Sequence, residues 1–506
     1  RLKLFKVNDL RKYVAISVGQ QAFELADRKD FDGAHEKYDA ILNEFRRDEP
    51  ELAATSLYNK AAIYEVQKQE KKAIETYERV VKEFKKSEVA PEAMFNIGMI
   101  YEAQTRFKDA SDAFLKMAVI RKNADAAQAL INAGQILNAL EEHTAAVKAY
   151  EGFIKLAGGL TEKTDDANRL KALIPDAHVE IGRVWTRAGD KGLAKADKVF
   201  QLVAQKFNHR PELQVEALGR VIEVLKRSDG DKYDDAVAKN AAKPEKKQVK
   251  LVKKTSKNRK KVTGLIEKAL KVWDSPAARK GMAFYWIALA KFESAEYLYD
   301  DFYNLSLADV KNMKDLKPML EKQAIRLKEA EKAYFEVLDS TAAGAGKAYA
   351  AAAAFKIGLM YFRFKEDLFK APLPKAIQRA SDAGFYSAEE RYRKIIEDIA
   401  APIEEQSLVA LRHAINVAHN LGAYNRWSKM AGEYAAAVNP QEYPTVEKDP
   451  NLPKATTALN PNKTTNTSTS AAFITKVRRG KYTVSYKPED IAKATQQKKA
   501  GEQKKN

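Results

Sequence analysis

The sequence predicts an all-α chain of stacked helix hairpins, and three observations carry that expectation. Three consecutive segments are copies of one unit: LYNKAAIYEVQKQEKKAIETYERVVKEF from Leu57, MFNIGMIYEAQTRFKDASDAFLKMAV from Met94 and LINAGQILNALEEHTAAVKAYEGFIKL from Leu130. They align so that Asn59, Asn96 and Asn132, and equally Ala73, Ala110 and Ala146, recur at spacings of 37 and then 36 residues. Apolar residues within each copy follow the helical period, and strand-like alternation is scarce in a chain dominated by Ala, Lys, Glu and Leu.

Each copy opens with a bulky residue (Leu57, Met94, Leu130), a small one four positions on (Ala61, Gly98, Gly134) and another bulky one three later (Tyr64, Tyr101, Leu137). That spacing lines one face of a helix. After a short polar turn, a second helix sets a small residue before an aromatic one, as in Ala73 and Tyr77, Ala110 and Phe114, Ala146 and Tyr150. Small residues let two backbones approach while the ring fills the remaining gap. One such pair leaves a face bare, so the copies must stack to bury a continuous interior.

This pattern resembles the tetratricopeptide repeat family, whose nominal period is 34 residues. The resemblance implies a right-handed α-solenoid whose first helices line a concave groove. In peptide-binding members the first-helix asparagine hydrogen-bonds a peptide backbone. The resemblance carries that role onto Asn59, Asn96 and Asn132, with Tyr58, Phe95 and Ile131 beside them as apolar groove contacts. The alternative is that these amides bond only within the stack. A carboxylate clamp is not expected, because the clustered lysines it needs are missing and Lys60 stands alone. The phrase AIETYERVVKEFKKSEVAPEAMFNIGMIYE is similar to repeats of bacterial envelope proteins that support outer-membrane assembly, cell division or motility. A long Lys-rich array of this kind looks like the periplasmic repeat components of deltaproteobacterial gliding machinery.

In chain order, an earlier unit begins near Val14, and residues 1–10 read as a preceding helix or a cut edge. After Leu156 the paired glycines of GGLTEKTDDANRLKA end a helix, leaving an exposed loop or a short extra helix. The period resumes at Pro175, and a further first helix starts at Leu213. SDGDKYDDAV then reads as an acidic turn-rich piece ahead of a basic stretch. Helices resume at Val262, followed by the aromatic run AFYWIALAKFESAEYLYDDFYNL and by QAIRLKEAEKAYFEVLD. The aromatic run is either the core of its block or a partner surface. AEERYRKIIEDI pairs with the helix from Ala348, and SLVALRHAINVAHNLGAYNRWSKMAGEYAAAV forms a last hairpin. From Pro444 four prolines and NKTTNTSTS break the helical pattern, so an extended, mostly disordered C-terminal tail is expected. Its AFITKVRRGKYTVSY piece is strand-like. The resulting domains are a repeat array over 1–238, a basic linker over 239–271, a second helical block over 272–443 and the tail over 444–506.

The net charge of +19 is local. Lys239 to Lys271 holds 13 basic and 2 acidic residues, and Val446 to Asn506 holds 13 and 5, which together account for all of it. Lys250, Lys253, Lys254, Lys257, Arg259, Lys260 and Lys261 form the densest patch. It suits an acidic protein surface, an anionic lipid or a nucleic-acid backbone, although no aromatic residues are interleaved for base stacking. A solvated linker is the plain alternative.

Cysteine is absent, which excludes disulfides, thiolate metal sites and thiol catalysis from this sequence. The six histidines are scattered, and GAGK at Gly344 to Lys347 is only a fragment of a phosphate loop. No constellation for acid–base or nucleophilic chemistry is present, so neither enzyme activity, cofactor, metal nor small-molecule substrate is expected. No apolar run reaches membrane-spanning length. The start at Arg1 suggests a processed or excised form, with any targeting segment out of view. The expected function is therefore a protein–protein interaction scaffold of a multiprotein assembly in the periplasm or cell envelope, with a cytoplasmic location and a nucleic-acid-associated role through residues 239–271 as alternatives.

Overall fold

The computed structural model of the chain describes residues 7–241, 258–307, 310, 313–340, 348–420 and 426–443. Among these, regular structure consists of nineteen α-helices and one 3₁₀ turn. The expected tail, the Gly344 to Lys347 turn and residues 242–257 of the basic segment lie outside the described residues. The helices divide into two compact units, Arg1–Ala188 and Gly189–Thr464.

The first unit holds α1 (Val7–Asp27), α2 (Phe31–Glu44), α3 (Pro50–Val66), α4 (Glu70–Glu83), α5 (Val89–Ala103), α6 (Phe107–Ile120), α7 (Ala124–Ala139), α8 (His143–Gly158), α9 (Asp165–Ala172) and α10 (Ile174–Arg187). The first eight pack as consecutive hairpins, each second helix also touching the first helix of the next pair. Local chemistry sets the starts: Pro50 opens α3, and the side chains of Asp30, Asn123 and Thr164 accept the backbone amides of Gly33, Ala126 and Ala167. Thr164 thereby makes α9 the short extra helix expected after the paired glycines.

Each hairpin turns on a residue in the left-handed region: Lys29, Lys68, Thr105 and Glu141, with φ of 67°, 61°, 60° and 61°. The amide that follows reaches back five residues, Gln69 to Tyr64, Arg106 to Tyr101 and Glu142 to Leu137. This is the Schellman ending that glycine usually supplies. Beyond the turn, the two helices close on the small-to-aromatic contact. Phe114 lies against Gly98 and Tyr150 against Gly134, sixteen positions apart in both cases.

The second unit holds α11 (Asp190–Lys206), α12 (Pro211–Ala241), α13 (Arg259–Trp273), the 3₁₀ turn Pro276–Ala278, α14 (Ala283–Tyr303), α15 (Met313–Ser340), α16 (Ala348–Phe369), α17 (Lys375–Asp382), α18 (Tyr386–Asn420) and α19 (Arg426–Val438). Two expectations are corrected here. The acidic piece at Ser228 is not a turn, since α12 runs through it to Ala241. A helix nucleated and packed over its first half extends at little cost through residues of modest propensity. AEERYRKIIEDI and SLVALRHAINVAHN are also one helix, α18, which continues through Pro402. One proline removes a single amide donor, and the packed helix absorbs that loss.

The aromatic run forms the interior of the second unit. Trp286, Phe292 and Phe302 on α14 are buried, and the interior continues through Tyr334 on α15 and Phe355 on α16. The basic segment does not coincide with the division into units. The helices flanking it, α12 and α13, share one interior built from Val215, Ile222, Ile266 and Trp286.

Candidate interaction surfaces

The expected groove residues are inside the first unit. Asn59, Asn96 and Asn132 are 8%, 5% and 4% exposed, and Tyr58, Phe95 and Ile131 are 1%, 2% and 1% exposed. Asn96 Nδ2 donates to the hydroxyls of Tyr58 at 2.9 Å and Tyr77 at 3.1 Å, and Asn59 Nδ2 donates to Tyr38 at 3.3 Å. Asn132 Oδ1 accepts from Gln128 at 3.0 Å, and Gln128 Oε1 accepts from Arg169 at 3.1 Å. Tyr58 and Phe95 pack on the rings of Tyr77 and Phe114, each at 5.3 Å between centroids. These contacts support the alternative, in which the amides bond within the stack. A buried tyrosine hydroxyl needs a polar partner, and at Asn59 and Asn96 the repeated asparagine supplies it from inside the stack. The signal was present in the sequence, because Tyr38 and Tyr77 occupy a matching second-helix place.

The Lys60 ammonium pairs with Asp39 of the preceding hairpin. Nearby, Glu92 on α5 lies among Asp125, Glu88, Glu51 and Arg121. Burial and then the Asp125 charge push its carboxyl up to about 7.

Of the basic patch, Lys250, Lys253, Lys254 and Lys257 lie outside the described residues, and the remaining three separate. Arg259 makes a two-pronged pair with Asp301, at 2.7 and 2.8 Å, and lies 5.0 Å from the Tyr297 ring. The Asp301 hydrogen bonds raise the guanidinium further and hold the carboxyl below its ordinary range. Arg259 therefore ties α13 to α14 and is corrected from free contact to internal link. Lys260 and Lys261 instead edge a cleft of about 800 Å³. Its walls are Gln201, Ala204 and Gln205 on α11, Gln214, Leu218 and Val221 on α12, and Lys260, Lys261, Gly264, Leu265, Lys268, Lys271 and Val272 on α13. The basic composition pointed toward α13, but nothing in the sequence brings residues 201–221 across from residues 260–272.

Two tetratricopeptide repeat family models match the sequence, over residues 55–87 and 95–160. Residues 55–160 are thus similar to tetratricopeptide repeats. The matches fall on α3–α4 and on α5–α8, the hairpins in which the asparagine place and the small-to-aromatic contact recur. A search of curated proteins finds no match. Among solved structures, a tetratricopeptide repeat protein from Parabacteroides merdae is 14% identical, with 63% of this chain and 93% of that one covered and a TM-score of 0.25. A Naa15/Naa10 complex bound to HypK-THB is also 14% identical, with 84% and 64% covered and a TM-score of 0.20. A circular tandem repeat protein of novel repeat topology is 11% identical, with 85% and 89% covered and a TM-score of 0.21.

Within these repeats the amides of Asn59 and Asn96 are committed to tyrosine hydroxyls of the same stack. Among the described residues no cluster of His, Asp or Glu could hold a metal ion, and no helix is long and apolar enough to cross a membrane.

Proposed function

We propose that this tetratricopeptide repeat chain is a non-catalytic scaffold that holds other proteins within a larger assembly of the bacterial cell envelope. The run of hairpins from Leu57 to Leu156 carries the reading. Stacked repeats bury their recurring interior in self-contacts and leave outer faces for partners. The repeat phrase over residues 73–102, similar to repeats of envelope assembly and motility proteins, supports the location, and a chain free of cysteine is compatible with it.

Blue-native electrophoresis of membrane and soluble extracts from the source cells tests this. The chain is expected in an envelope fraction at an apparent mass well above its own 56.7 kDa. A monomeric band confined to the cytosolic fraction would overturn the proposal.

A further inference from the structure

We infer that the cleft between α11, α12 and α13 binds an amphipathic acidic helix of a partner protein. This rests on the scaffold reading and adds the chemistry of one partner. The cleft lies outside the residues matched as tetratricopeptide repeats.

α13 has two unlike faces. Val262, Ile266 and Ala269 turn into the interior of the second unit. Every α13 residue that lines the cleft falls on the other side, within an arc of roughly 140° at 100° per residue. Four of them, Lys260, Lys261, Lys268 and Lys271, are exposed, and no carboxylate of the described residues pairs with them. From Lys260 to Lys271 the row runs about 16 Å along the helix. A lipid phosphate would be held by cations converging on one point. Lysines spread over three turns instead match carboxylates spread over three turns of another helix. Beside the lysines, the half-buried Leu265 and Val272 offer apolar contacts to that helix's own apolar edge.

Gly264 is the second, independent observation. It sits inside α13 on the cleft-facing side, and a Cβ built there would meet nothing within 4 Å. Glycine is a poor choice for a helix interior, and packing within the chain does not require it. Its missing side chain leaves room where a ligand backbone would approach. The chain's own unassigned segments are poor occupants on charge alone. Residues 242–257 contain seven lysines and one acid, and residues 444–506 contain 13 basic and 5 acidic residues.

The test uses the full chain and a fluorescein-labelled 18-residue helical peptide with Glu along one edge and Leu along the adjoining face. The comparison is an isomer of the same composition with Glu and Leu scattered. Anisotropy at 150 mM salt is expected to show binding of the faced peptide and at least tenfold weaker binding of the isomer. Gly264→Phe should lose at least tenfold in affinity without lowering the melting temperature. The surface double variant Lys260→Glu/Lys268→Glu, which needs no core rearrangement, should lose the acidic peptide and gain its Lys-for-Glu counterpart. Equal binding of the isomer, unaltered binding by the double variant, or displacement of the peptide by phosphatidylglycerol vesicles or single-stranded DNA at equal charge would overturn the proposal. So would failure of the faced peptide to bind, which leaves the scaffold reading to stand or fall on the size of the native assembly.

Discussion

Gly98 lies under the edge of the Phe114 ring, where a Cβ would stand only 2.7 Å from Cε1. The same approach recurs between Gly134 and Tyr150 at 2.8 Å. Replacing Gly98 with Leu forces α5 and α6 apart and should cost about 1–3 kcal/mol by chemical denaturation. Gly152→Ala, whose new methyl would meet only Leu130 at 3.4 Å, should instead be neutral or gain roughly 0.5–1 kcal/mol from helix propensity. If both variants lose stability alike, close helix approach is not what the small residues provide.

Asn96 supplies a donor to two buried tyrosine hydroxyls. Asn96→Ala removes both hydrogen bonds in an enclosed site and should cost about 1–3 kcal/mol. An asparagine that served a bound peptide would leave unfolding unchanged, so urea denaturation of this variant separates the two roles.

Thr105 closes the α5–α6 hairpin at φ 60°, a conformation that β-branched residues rarely adopt. Thr105→Gly relieves that strain, with part of the gain offset by a freer unfolded chain. A net increase of roughly 0.5–1 kcal/mol is expected, read as a higher urea midpoint with unchanged slope.

Glu92 should make the first unit less stable as the pH rises from about 4.5 through 7. Its carboxyl sits at about 7, against 4.5 ordinarily, and its Oε2 is enclosed without a hydrogen-bond partner. The folded chain therefore holds this proton more tightly than the unfolded one. The contribution is fully present below about pH 4.5 and is lost as the pH rises through 7. Glu92→Gln should raise the melting temperature at pH 8 and leave it nearly unchanged at pH 4. A variant that lowers stability at pH 8 would show that Arg121, and not burial beside Asp125, governs the site.

The hairpins and their register were legible because spacing alone aligns Asn59 with Asn96 and Ala73 with Ala110. The aromatic run of α14 was likewise legible as a core candidate. Turn chemistry was not, since Lys68, Thr105 and Glu141 occupy a place where glycine is the usual signal. The extents of α12 and α18 were misread because Gly230 and Pro402 look like breakers, yet a helix already formed and packed ahead of them continues through. The role of the asparagines was open in the sequence because an amide suits a peptide backbone and a tyrosine hydroxyl equally well. Only Tyr58 and Tyr77, folded in from other helices, decide between them. The lysine-edged cleft depends on tertiary pairing of α11, α12 and α13, which no local pattern encodes.

The most direct measurement of the central claim is affinity capture of the full chain from its source cells after brief chemical cross-linking, with half of each sample treated with nuclease. The account predicts a small set of proteins in near-stoichiometric yield, cross-linked to lysines of this chain and unaffected by nuclease. Recovery of nucleic acid whose removal releases every co-purifying protein would contradict it.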